Sequence, residues 1–190
     1  SNFHTIRPDN NVEQDLGGQK FTEKSTNVFI SPDGAKYDLS YLKNDKADYQ
    51  FDTMSSSYRA NFARDLVSPC GTSITPAGIF TKNGICTGNL TSSWANLSVS
   101  YINESSKNDG IKIDFASKGG NCLYSYNGLN NLKYKIKCDM NAANTSIESV
   151  KVMNSCTYEY TFVSKHACYV LPSSGIFYYP SFNILVFLIV

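Results

Sequence analysis

Six cysteines and four N-x-S/T triplets are the residues of this 190-residue chain whose types and spacing point to chemistry. Cys70, Cys86, Cys122, Cys138, Cys156 and Cys168 stand 16, 36, 16, 18 and 12 residues apart. No two form the close knuckle of a zinc or redox site. An even count at wide spacing points to disulfides, which persist outside the reducing cytosol. The triplets at Asn89, Asn96, Asn103 and Asn144 point to the same compartment, because asparagine in that setting accepts N-linked glycan. No basic stretch followed by an apolar run opens the chain, so its first residue is expected to follow signal cleavage.

Catalysis finds little footing. The two histidines are His4 and His166, and a nucleophilic triad would have to use one of them. His4 sits in a polar N-terminal stretch, and His166 in a segment, 164–166, that reads as an exposed loop. HExxH, GxGxxG and phosphate-loop patterns are absent from the sequence. No enzyme, cofactor or metal is therefore expected. A net charge of +1 offers no basic face to nucleic acid.

Cysteines this far apart need a scaffold. The chain is 42% hydrophobic and 13% aromatic, too rich for disorder, and its thirteen tyrosines with many Ser, Thr and Asn favour strands. Short segments of period-two alternation recur about every ten residues. Examples are Leu97-Ser98-Val99-Ser100-Tyr101, Ile111-Lys112-Ile113-Asp114-Phe115, and the set Leu132, Tyr134, Ile136 and Cys138. Turn dipeptides such as Asn83-Gly84 and Asn127-Gly128 punctuate them. The pattern reads as a sandwich or barrel, with a turn or two of helix at most around 61–67.

Residues 1–34 read as an extended arm, 35–170 as the β-domain, and 171–190 as an apolar tail. The tail ends in seven residues, from Ile184 to Val190, without a polar side chain. A spanning helix needs about 20. The tail is open to three readings: the start of a transmembrane segment, a terminal strand in the core or at an interface, or a lipid-anchor signal.

The most specific stretch is Cys156-Thr157-Tyr158-Glu159-Tyr160-Thr161-Phe162-Val163-Ser164-Lys165-His166-Ala167-Cys168. It resembles the end of the mannose 6-phosphate receptor homology (MRH) domain, with its C-x-Y-x-F/Y…A-C pattern and twelve-residue cysteine step. Further pieces follow in the family's order: Tyr37-Asp38-Leu39-Ser40-Tyr41-Leu42, the segment from Tyr58 to Phe62, Cys70…Cys86, Gly119-Gly120-Asn121-Cys122, and Tyr134-Lys135-Ile136-Lys137-Cys138-Asp139. The resemblance spans about 36–168.

This resemblance implies an all-β fold, a flattened β-barrel or sandwich of two antiparallel sheets with three disulfides, as in lumenal lectins and sorting receptors. It implies the pairing Cys70–Cys86, Cys122–Cys156 and Cys138–Cys168. A common upstream bridge of the family is missing, since Ala63 stands where a cysteine would be. The family binds mannose-type sugar with Gln, Arg, Glu and Tyr. Glu148, eight residues before Cys156, and Tyr158, two after it, match the last two. Thr87 stands in place of the glutamine. Asn130 or Asn131 occupies the arginine's stretch, with Lys133 the nearest cation and no arginine after Arg64. A lost charged donor costs about 1.5–3 kcal/mol, and lysine does not reproduce the planar guanidinium fork. The plain alternatives are an exposed carboxylate for Glu148 and a core tyrosine for Tyr158.

The expectation is a lectin-like receptor domain that recognises mannose-containing glycans or glycoproteins in sorting or quality control, with a degenerate sugar site. It would work in the secretory-pathway lumen (ER, Golgi or endosome) or at the cell surface, attached to the membrane through its C-terminus. The alternative is a non-lectin accessory or structural subunit of a membrane protein assembly, using the fold for protein contact.

Overall fold

The structure, a computed structural model, describes residues 20–122, 128–154 and 156–170. Its strands are β1 (Thr22–Ser25), β2 (Val28–Ile30), β3 (Lys36–Asp38), β4 (Tyr49–Asp52), β5 (Ser56–Ala60) and β6 (Ala77–Thr81). They continue as β7 (Cys86–Asn89), β8 (Leu97–Tyr101), β9 (Gly110–Phe115), β10 (Asn131–Cys138), β11 (Ser146–Asn154) and β12 (Thr157–Ser164). A five-stranded sheet, in the order β11-β12-β10-β9-β8, faces a four-stranded sheet, β4-β5-β6-β7.

Period-two alternation decides which side chains meet between the sheets. On β10, Leu132, Tyr134 and Ile136 are buried, while Lys133 and Lys137 are exposed. On β12, Tyr158, Tyr160 and Phe162 point inward. The opposing layer supplies Tyr49, Tyr58, Ile79 and, just past β5, Phe62. The core is aromatic: the Phe62 ring lies 4.7 Å from Phe162 and 5.2 Å from Tyr134, and Tyr134 lies 5.0 Å from Phe115. Phe62–Phe162 and Tyr134–Phe115 are edge-to-face, a geometry that adds about 0.5–1.5 kcal/mol per pair to simple burial.

The sandwich expected from the sequence is present, with two features the alternation did not show. A third sheet, β1-β2-β3, is built partly from residues 22–30, within the stretch expected to be an extended arm, and buries Phe29 against the core. The five-stranded sheet also contains a parallel pair, β10 with β12, in register from Asn131 opposite Thr157 to Cys138 opposite Ser164. β11 runs back antiparallel on the other side of β12. The helical candidate at 61–67 forms no helix: Asn61 and Phe62 are fully buried and Ala63 has a φ of 55°. The apolar tail at 171–190 lies outside the described residues, as does most of the segment from Cys122 to the Asn127-Gly128 turn.

The three bridges are Cys70–Cys86, Cys122–Cys156 and Cys138–Cys168. Two of them clamp the parallel pair. Cys122–Cys156 closes the end where β10 and β12 begin, and Cys138–Cys168 the end where they finish. Gly110 opens β9 with a φ of 110°, packed so closely on β10 that a Cβ there would collide with the Ile136 carbonyl.

A single carboxylate ties the third sheet to the sandwich. Asp33, in the β2–β3 turn, accepts hydrogen bonds from Ser31 Oγ (2.6 Å), Tyr101 OH (2.6 Å), Tyr169 OH (2.6 Å) and Lys107 Nζ (2.5 Å). Burial raises its carboxyl, but the donors, Lys107 foremost, outweigh that and hold it well below the usual carboxylate range. Tyr101 is pushed up to about 12, first by burial and then by its bond to Asp33.

Candidate functional site

Strand register determines what each candidate side chain can reach. The three β10 lysines line the outer face of the five-stranded sheet, and each meets a carboxylate from a different strand. Lys133 Nζ lies 2.8 Å from Asp114 on β9, and Lys135 Nζ 2.9 Å from Glu159 on β12. Lys137 Nζ donates to both oxygens of Glu148 on β11 at 3.0 Å. The first and third pairs are open to water and contribute less than about 1 kcal/mol each. Glu159 differs, because its side chain is only 8% exposed. Removing Lys135 would leave a covered charge.

Two shallow clefts run across this face. One, of about 470 Å³, is lined by Lys135, Lys137, Glu148, Ser149, Glu159 and Thr161. The other, of about 510 Å³, is lined by residues including Lys133, Asp114, Asn154 and Thr157. Amines, hydroxyls and carboxylates line both, so the face offers donors and acceptors to a polar ligand, with the three β10 lysines already engaged with carboxylates.

The five residues selected by the MRH resemblance do not converge. Glu148 sits where a bulge between Ile147 and Ser149 interrupts β11, and it turns outward to Lys137. Tyr158 turns the other way: it is 2% exposed, in the core, with its ring 6.5 Å from Tyr58 of the opposite sheet. The two therefore lie on opposite faces of the five-stranded sheet. Lys133 is on the outer face with Asp114. Thr87, exposed on β7, donates its hydroxyl to the Ile79 carbonyl at 3.2 Å.

Asn130 is buried, and its amide donates to the carbonyls of Asn89 (3.0 Å) and Asn121 (3.4 Å). Its backbone bonds Gly119 and Gly120, so it pins that turn to β7. The side-chain oxygen of Asn130 has no hydrogen-bond partner among the described residues. Asn130 and Tyr158 share the end of the sandwich closed by Cys122–Cys156, since Leu132 is registered opposite Tyr158. Asn131, the other occupant of the arginine's stretch, is bonded at the surface to Lys118.

Other features were not read from the sequence. Glu159 was detectable in principle, because Thr157, Glu159 and Thr161 alternate with Tyr158, Tyr160 and Phe162 and so must face outward. His166 stacks on the exposed Tyr41 ring at 5.3 Å, and Ser164, in the segment expected to be exposed, is fully buried and accepts from the His166 N–H at 3.2 Å. Among the described residues, no group of three His, Cys, Asp or Glu is placed to hold a metal ion. No helix among them is long and apolar enough to cross a membrane.

No protein-family model matches the chain, and no curated protein matches it. Solved structures do. Domain 11 of chicken IGF2R superposes with a TM-score of 0.52 at 17% identity, covering 71% of this chain and 85% of its own. Domain 11 of the echidna mannose 6-phosphate/IGF2R receptor gives 0.56 at 18% identity, covering 75% and 94%. The MRH domain of Yos9, solved with alpha3,alpha6-Man5, gives 0.47 at 13% identity, covering 68% and 80%. Two facing sheets and three bridges, set beside these receptor domains, give the chain an MRH-like fold.

Proposed function

We propose that this chain is a receptor-like recognition domain of the secretory-pathway lumen or the cell surface. It binds glycoproteins through the MRH fold, with a sugar site that has degenerated. The observation that carries this reading is the combination of that fold with six cysteines all closed into bridges. Disulfides of this kind fit an oxidising compartment, and a solved domain named as part of a receptor has a similar fold. Membrane attachment through the C-terminal tail and a role in sorting or quality control belong to the same proposal.

Within that reading, the dispersal of the five residues favours contact with a protein surface, as an accessory subunit would make, over capture of a mannose-type glycan. A pyranose needs convergent donors and acceptors. Here Glu148 is held by Lys137 on one face while Tyr158 packs in the core behind it. Titrating the purified chain calorimetrically with mannose-type oligosaccharides tests this. No saturable binding is expected up to a Kd of about 1 mM, some 4 kcal/mol. Micromolar binding that disappears in both Glu148→Gln and Tyr158→Phe would reinstate a working lectin.

A further inference from the structure

The four N-x-S/T triplets have no part in the proposed recognition, and two of them bracket a single strand. Asn96 immediately precedes β8 and Asn103 follows it by two residues, both exposed. β8 is the outermost strand of the five-stranded sheet: it pairs with β9 on one side, and no strand lies on the other among the described residues. An open edge presents unpaired N–H and C=O groups to any other chain, and folds usually blunt it with charges, proline or a bulge.

The other sheet edges have such devices. β11 carries Lys151 and two bulges, and β1 carries Glu23, Lys24 and a bulge. β3 carries Lys36 and Asp38, β4 ends on Asp52, and β7 is irregular against β6. β8 has none: its sequence is Leu-Ser-Val-Ser-Tyr, and its register with β9 runs without a shift. Beside it lies a cleft of about 430 Å³ whose lining mixes Phe21, Leu97 and Val99 with Lys20, Glu23 and Glu104. The edge strand itself is thus regular and uncharged.

We infer that N-linked glycans on Asn96 and Asn103 guard this edge, and that without them a second copy of the chain pairs along β8. The inference rests on the secretory-compartment reading. A five-residue strand is about 17 Å long, so a bulky glycan at each end leaves no room for a continuous partner strand. Asn103 Nδ2 donates to Asp109 Oδ2 at 3.2 Å on the surface, and glycan attachment leaves one N–H on that nitrogen. Asn96 holds a φ of 52°, a left-handed conformation that asparagine tolerates better than most residues. Asn144 precedes β11, at the opposite edge of the same sheet, and provides an internal control.

The test uses the full chain secreted from eukaryotic cells. Peptide mass spectrometry is expected to find glycan on Asn96 and Asn103. Ser98→Ala with Ser105→Ala abolishes both acceptor triplets while keeping the asparagines. In sedimentation velocity the wild type stays monomeric, and the double variant doubles its mass as concentration rises. Ser146→Ala, which empties Asn144, stays monomeric. Adding Ser100→Lys to the double variant restores the monomer by placing a charge on the edge. Enzymatic trimming of glycan from folded wild-type protein gives the same association without any substitution. Bare Asn96 and Asn103, or a monomer after glycan loss, overturns the inference. Neither result touches the compartment reading, which would fall instead to free thiols in protein from the native source.

Discussion

Serine at both Cys122 and Cys156 is expected to lower folding stability by about 3–4 kcal/mol. The bridge closes a loop of 34 residues, and the chain-entropy relation assigns roughly that much to a constraint of this size on the unfolded chain. Cys138–Cys168, spanning 30 residues, is expected to contribute nearly the same, and Cys70–Cys86, spanning 16, slightly less. The first two matter beyond their loop lengths. β10 and β12 are parallel neighbours at the centre of the five-stranded sheet, and parallel pairing cannot be closed by a tight turn. The two bridges hold that pair at both ends. Without both, the expected loss approaches the net stability of a typical domain, and the chain is expected to be unfolded at 37 °C. Urea titration of the single-bridge variants, followed by tyrosine and tryptophan fluorescence, measures the difference. Equal midpoints for the wild type and the Cys122→Ser, Cys156→Ser variant would refute the clamp.

Asp33→Asn is expected to cost about 2–4 kcal/mol at neutral pH, since hydrogen bonds to a charged acceptor contribute about 1.5–3 kcal/mol each and do not add fully. Four donors converge on that carboxylate, three of them from residues 68, 74 and 136 positions away, and an amide would turn an N–H₂ group toward them. The pH dependence follows from the sign of the shift. The folded carboxyl is held below its unfolded value, near 3.9, so its stabilisation is fully present above that value. It fades as pH falls toward the folded pKa. The gap between wild type and Asp33→Asn is therefore constant from neutral pH to about pH 5 and narrows below about pH 4. Urea midpoints of both proteins at pH 7 and pH 3 check this, and a gap that widens in acid would contradict it.

Where strands pair regularly, the alternation announced them: β8, β9, β10 and β12 lie where the apolar period-two runs are. β11 is not announced, because bulges at Ile147/Ser149 and Val152/Asn154 break its period and all nine of its residues are exposed or half-buried. β1 escaped because Thr22–Ser25 has no apolar face. The cysteine pairing followed from the family resemblance, not from spacing, since wide spacing leaves many connectivities open. For the candidate sugar residues, the distances along the chain from Cys156 were legible and the faces were not. One extra residue in β11 turned Glu148 toward Lys137, on the side of the sheet away from Tyr158. The Asp33 hub was beyond sequence patterning altogether, because its partners lie as far as 136 residues away.

An MRH-like module stitched by three bridges in an oxidising compartment is the claim on which the functional reading stands. Non-reducing peptide mapping of the protein isolated from its native source, with free thiols alkylated before digestion, tests it most directly. The account predicts the linked peptides Cys70–Cys86, Cys122–Cys156 and Cys138–Cys168, with no alkylated cysteine. Alkylation of all six, or a different set of links, would contradict it.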